Sequence, residues 1–264
     1  MNILELSIMA GGGILAGVVG GLLGIGGGIV LMPILRFFVG LSPAVAAGTC
    51  IMAVFFTTLG GCFRHHKLGH VNIPSLLPVL VAGAISAVVF SLVFLYFTRR
   101  EIWLDLGTGL VFSLISLRMI LEGFSDLSGK KMRESTESEI RGSLCGKLTI
   151  GGIAGILPGL LGIGTGAILV PAFAIILKAP IKIAIGSSLT CFSVNAFLSS
   201  VIKFLQGFIF LPAALPICLG TLFGSNIGAL LNKRFPSPVL KILFGLVFSY
   251  VSYQYILIFS QGRV

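Results

Sequence analysis

The sequence predicts an all-α polytopic membrane protein made of two homologous four-segment repeats, and three observations predict it. First, 56% of the 264 residues are hydrophobic and 10% are charged, which leaves too little polar surface to coat a water-soluble domain of this size. Second, apolar runs cover residues 3–39, 43–63, 74–97, 104–121, 145–177, 181–204, 210–231 and 239–259. Each reaches or approaches the roughly 20 residues a helix needs to cross hydrocarbon, whereas a bilayer strand would be shorter and would alternate. Third, the string Gly21–Pro33 recurs as Gly159–Pro171 with nine of thirteen positions identical, and a repeat of this kind governs every later reading.

The offset of 138 residues continues without a gap, pairing Gly48 with Gly186, Gly69 with Gly207, Pro74 with Pro212 and Pro78 with Pro216. With a two-residue adjustment, Gly-Leu-Val-Phe-Ser at 109–113 matches the same string at 245–249. The halves are therefore residues 1–121 and 148–264, joined by a charged linker over 122–147 expected in the cytoplasm.

The first segment opens on Met1-Asn2-Ile3-Leu4-Glu5, which lacks the basic region of a cleavable signal, so it is expected to belong to the fold. This segment and the fifth are the longest, and each carries glycines in its middle: Gly24, Gly26, Gly27 and Gly28 in one, Gly162, Gly164 and Gly166 in the other. Glycine weakens a helix by about 1 kcal/mol relative to alanine, so a break is expected in both. Gly13, Gly17 and Gly21 have the spacing of close helix packing instead.

The remaining segments are uninterrupted spans, and lysine and arginine counts set their orientation. Eight full crossings divide the basic residues ten against eight. If the first and fifth segments are re-entrant hairpins, each half crosses three times, the repeats are inverted with both termini outside, and the division becomes thirteen against five.

Other classes fit less well. The net charge of +10 comes from 18 basic residues scattered over short connections and the linker, so no nucleic-acid partner is expected. Cys50, Cys62, Cys145, Cys191 and Cys218 lack metal-ligand spacing and read as small buried side chains. His65, His66 and His70 read as an interfacial loop with no carboxylate or cysteine to complete a metal set. With every histidine there, Gly224-Ser225-Asn226 has no base for an intramembrane serine enzyme. No cofactor or metal is expected; the partners are lipid and a small anion, and a homo-oligomer is left open.

Two copies of G-x-x-G-x-G-[GT]-G followed five residues later by proline, ending at Pro33 and Pro171, in an eight-segment chain of this length, resemble the sulfite exporter TauE/SafE family. The resemblance covers nearly the whole chain. It implies a prokaryotic plasma-membrane secondary transporter that exports sulfite, sulfoacetate or a related organosulfonate. An anion channel is the alternative, and an intramembrane enzyme a more distant one.

An anion at bilayer depth needs donors. Backbone N–H groups at interrupted helices supply them, which singles out Gly26, Gly27, Gly28, Gly164, Thr165 and Gly166. Hydroxyls matched across the halves, Thr49 with Ser187 and the Cys50 position with Ser188, add to these, as does Asn195 opposite Thr57. The competing reading for each hydroxyl is a bond to its own helix backbone. All eight acids fall at or near segment ends, so no carboxylate-based coupling site is expected at mid-depth, and neutralising Glu101 and Asp105 together is expected to leave transport driven by an imposed potential largely intact, provided the protein still inserts.

Overall fold

The structure is a computed structural model that describes residues 3–23, 26–67, 69, 71–127, 143–231 and 237–261. Among these residues there are helices and no strand. The first apolar run splits into α1 (Ile3–Leu23) and α2 (Gly28–Pro33), the latter continued by a π-helical turn at Ile34–Phe38. Then follow α3 (Pro43–Lys67), α4 (Ile73–Phe97) and α5 (Ile102–Leu127). The second half repeats the order with α6 (Leu144–Leu161), α7 (Gly166–Pro171) with its π turn at Ala172–Ile176, α8 (Ile181–Leu205), α9 (Leu211–Leu231) and α10 (Ser237–Gln261).

Seven of the described helices, α3, α4, α5, α6, α8, α9 and α10, are long and apolar enough to cross a membrane. The chain is a multi-pass helical membrane protein. Large apolar side chains such as Leu77, Leu114, Phe223 and Tyr250 are exposed on these helices, where lipid rather than water is the compatible neighbour.

Helix boundaries differ from the apolar runs where polar residues extend a helix past the hydrocarbon. α3 continues through His65, His66 and Lys67, so these residues form its last turn instead of a loop, while His70 lies outside the described residues. α5 runs on to Leu127 and α6 starts at Leu144; residues 128–142 of the linker lie outside the described residues.

Small residues set the helix directions. Gly13 packs on Ile217, Gly17 on Thr221 and Ser225, and Gly228 on Val18, so α1 and α9 run parallel. In the same way Gly151 meets Val79, Gly155 meets Gly83 and Ala87, and Gly159 meets Ala87 and Ser91, so α6 and α4 run parallel. α3 and α8 are antiparallel: the rings of Phe55 and Phe197 meet at 5.3 Å, and Cys62 Sγ lies 3.5 Å from Thr190 Oγ1. α5 and α10 are also antiparallel, with Ser116 donating to the Gly245 carbonyl (2.7 Å) and Ser252 to the Gly109 carbonyl (2.8 Å).

α2 folds back along α1, because Gly12 faces Ile34 and Gly20 faces Gly27. The segment after α6 folds back too, since Phe173 and Leu177 join Ile150, Ala154 and Leu76 in one apolar cluster.

Polar ties mark the two ends of the bundle. At one end Arg36, in the π turn after α2, pairs with Asp105 on α5, and Ser42 donates to Glu101. At the other, Lys241 on α10 pairs with Asp126 on α5 at 2.9 Å.

Candidate functional site

The two breaks are built differently. In the first, Gly26 (φ +81°) and Gly27 (φ +70°) are both left-handed, a region closed to most side chains. The Gly27 carbonyl then accepts from Val30 (3.1 Å) and Leu31 (3.0 Å) to start α2. In the second, the left-handed residue is Gly162 (φ +67°), which ends α6, and the residue before α7 is Thr165 at φ −96°. A threonine can therefore stand where the first half requires glycine, and it brings a hydroxyl.

The breaks meet. A Cβ on Gly28 would lie 3.1 Å from the Gly164 nitrogen and 2.6 Å from Cγ2 of Val54 on α3. A Cβ on Gly26 would lie 2.7 Å from the Phe192 ring on α8, and Gly162 presses on the Ala47 backbone of α3. Val54 and Phe192 are near the midpoints of α3 and α8, so the junction sits midway between the ends of the bundle. Gly26, Gly27, Gly28 and Gly164 are thus brought together, with Thr165 and Gly166 next along the chain.

In the second half, Thr165 Oγ1, Ser187 Oγ, Ser188 Oγ and both polar side-chain atoms of Asn195 are buried with no hydrogen-bond partner in the protein. Leaving a buried hydroxyl or amide unsatisfied costs about 1–3 kcal/mol, so these groups are open to a partner from outside the chain, water or a ligand. Ser188 and Asn195, two helical turns apart, share one face of α8, and Asn195 packs against Gly83 of α4.

The first-half counterparts are all occupied. Thr49 Oγ1 accepts the Phe210 N–H at 3.1 Å, tying the α8–α9 connection to α3. Cys50 Sγ donates to the Gly28 carbonyl at 3.4 Å, and Thr57 Oγ1 to the Ala53 carbonyl of its own helix at 2.9 Å. Thr49 therefore stands apart from the open donors of the second half.

Two buried charged residues escape a reading by apolar runs. Lys203, counted from sequence among the charges of a connection, is fully buried on α8 with Nζ 3.1 Å from the Phe94 ring centroid. The legible signal was its spacing, four and eight residues beyond Ser199 and Asn195. Asp105 is 1% exposed and takes Arg36 in a two-point pair, Nε to Oδ1 at 3.2 Å and Nη2 to Oδ2 at 2.9 Å. Neutralising Asp105 would leave Arg36 with an unpaired, partly buried charge, a loss of about 3–5 kcal/mol. The double neutralisation of Glu101 and Asp105 therefore carries a stability cost at Asp105, which the condition that the protein still inserts must meet before its transport is read.

Apolar crossings, helices broken at mid-depth and unpartnered donors at the break define the class as a multi-pass membrane transporter. The chain belongs to the family described as sulfite exporter TauE/SafE, which it matches over residues 9–255. It is 26% identical over 264 residues to the probable membrane transporter protein YunE of Bacillus subtilis, covering 92% of this chain and 94% of the relative. A probable membrane transporter protein of Haemophilus influenzae is 31% identical over 253 residues, covering 89% and 91%. The sulfite exporter TauE/SafE family protein 1 of Arabidopsis thaliana is 32% identical over 126 residues, which are 46% of this chain and 27% of the plant protein. No solved structure matches the chain.

Proposed function

We propose that the protein is a secondary transporter of the prokaryotic plasma membrane that exports a small sulfur-containing anion, sulfite, sulfoacetate or a related organosulfonate, by alternating access between two inverted repeats. The observation that carries this reading is the group of unpartnered donors, Thr165, Ser187, Ser188 and Asn195, beside the contact of Gly28 with Gly164. Hydroxyls and a carboxamide are neutral donors, suited to an anion that must bind and then leave. The sulfur in the substrate class comes from the family alone.

Inversion is supported by the helix directions. The α1–α2 hairpin enters from the Asp105 end, and the hairpin of α6 and α7 enters from the Lys241 end. The connections that carry thirteen of the eighteen basic residues then share the Lys241 end, which makes it the cytoplasmic side. A cytoplasm-negative potential drives an anion outward by about 2.3 kcal/mol per charge per 100 mV, so export needs no carboxylate at the central site.

Purified protein in liposomes, assayed for efflux with a panel of sulfite, sulfoacetate, taurine, sulfate and chloride, tests the function. Saturable flux of a sulfur anion is expected; flux that stays linear with concentration would indicate a channel, and none for any anion would refute the reading. Cysteines placed at Lys178 and Lys241 should be labelled from the cytoplasm and one at Arg99 from outside. The reverse pattern would overturn the orientation.

A further inference from the structure

The buried face of α8 continues past the central donors. Ser188, Phe192, Asn195, Ser199 and Lys203 fall in a stripe about 80° wide on a regular helix. All five are buried, and the four polar ones have no hydrogen-bond partner in the protein. Lys203 lies about 12 Å beyond Asn195 along the axis, toward the Asp105 end. It lies at one end of the same buried stripe, past the central donors.

Its surroundings hold open donors and one open neutral acceptor, Oε1 of Gln206, but no counter-charge. Phe94 of α4 lies under the ammonium, but a ring face occupies one direction of a group with three N–H donors. One turn back on each helix stands a buried hydroxyl with no partner: Ser199 on α8 and Ser91 on α4. Gln206 closes the end of the seam by donating to the Ser91 carbonyl at 2.9 Å. The acids at this end are engaged elsewhere, Asp105 with Arg36 and Glu101 with Ser42, and no described acid pairs with Lys203. A buried ammonium is costly without a counter-charge.

We propose that Lys203, with the hydroxyls of Ser199 and Ser91, is a second anion-binding station on the route between the central junction and the Asp105 end of the bundle, taking a small oxyanion. Its transport role rests on the anion-export reading above; its binding chemistry does not. The station supplies an ammonium paired with the bound anion, and the centre supplies neutral donors. An anion is thereby drawn to the seam without being trapped at mid-depth, the balance that conduction through several sites requires.

Lys203→Met tests this, since methionine keeps an apolar stem on Phe94 and removes the charge, a replacement that buried sites commonly accept. In liposomes the half-saturating sulfite concentration should rise roughly tenfold or more, the size expected for one lost charged bond. Lys203→Arg should stay within about threefold of wild type and Ser199→Ala should rise about threefold. In detergent, sulfite and sulfate should protect Lys203 from an amine-modifying reagent, read by peptide mass spectrometry, while glycerol should not.

A Lys203→Met protein with wild-type half-saturation, or a wild-type Lys203 that no anion protects, would make the residue a packing element and overturn the station. If Lys203→Met fails to accumulate, Ser199→Ala and the protection assay decide. Protection without flux for any anion would sink the transport reading and leave the station standing. Normal flux with an unaffected Lys203→Met variant would do the opposite.

Discussion

The two halves share a pattern of residues but not a state of their polar groups. At every compared position the first half is closed and the second is open. Gly27 has no side chain where Thr165 offers a hydroxyl; Thr49 holds the Phe210 N–H where Ser187 is unpartnered. Cys50 holds the Gly28 carbonyl where Ser188 is unpartnered, and Thr57 holds its own helix where both ends of the Asn195 side chain are unpartnered. The difference teaches that a duplicated scaffold can use polar groups for internal bonds in one copy and leave the equivalent groups open in the other. The first break provides close approach, and the second provides donors.

The largest expected effect attacks the contact between the halves. Gly28→Val places a Cβ 2.6 Å from Val54 and 3.1 Å from Gly164, so accumulation of folded protein, read by size-exclusion chromatography, or sulfur-anion efflux should fall about tenfold to a hundredfold, since overpacking by several atoms costs about 1–3 kcal/mol. A well-folded, fully active Gly28→Val variant would show that the breaks do not meet as described.

Next in size is the Asn195 and Thr57 pair, which tests the asymmetry directly. Asn195→Ala should lower the transport efficiency about tenfold to a hundredfold while leaving thermal stability unchanged or raised, because its amide has no protein partner to lose. Thr57→Val should change efficiency less than about twofold, since its bond is to its own helix. Equal effects at the two positions would break the comparison.

A smaller effect separates Thr165 from Gly27. Thr165→Val should weaken the anion about tenfold and Thr165→Ser less than about threefold, in a direct binding assay. The reciprocal Gly27→Thr should add no affinity, because φ is +70° there and a Cβ would sit 2.8 Å from the Ala16 carbonyl. It should instead lower the melting temperature, with strain of about 1–2 kcal/mol.

The smallest effect is a control outside the breaks. A Cβ on Gly11 meets nothing within 4 Å, so Gly11→Ala should stabilise α1 by up to about 1 kcal/mol and leave efflux unchanged. Altered anion affinity in that variant would mean that glycine substitutions act on this protein through general helix stiffness.

Much of the fold and part of the site were legible without coordinates. Hydropathy placed the long helices because lipid imposes length and composition on any span. The glycine clusters located both breaks because few other residues tolerate the left-handed turns found at Gly26, Gly27 and Gly162. Thr165, Ser187, Ser188 and Asn195 were legible as hydroxyl or amide donors in matched positions.

Long-range partners were not legible. Thr49 and Phe210 are 161 residues apart, and no local pattern reveals that one satisfies the other. Lys203 looks like an interfacial lysine until Phe94 of another helix covers it, and Asp105 looks like a free helix-start acid until Arg36 reaches it across 69 residues. The sequence by itself determined the membrane class, the family, the repeat and the places where the helices must break, since these follow from composition and local backbone chemistry. Only the tertiary structure decided which polar groups remain without partners, because satisfaction of a buried donor depends on what a distant helix brings against it.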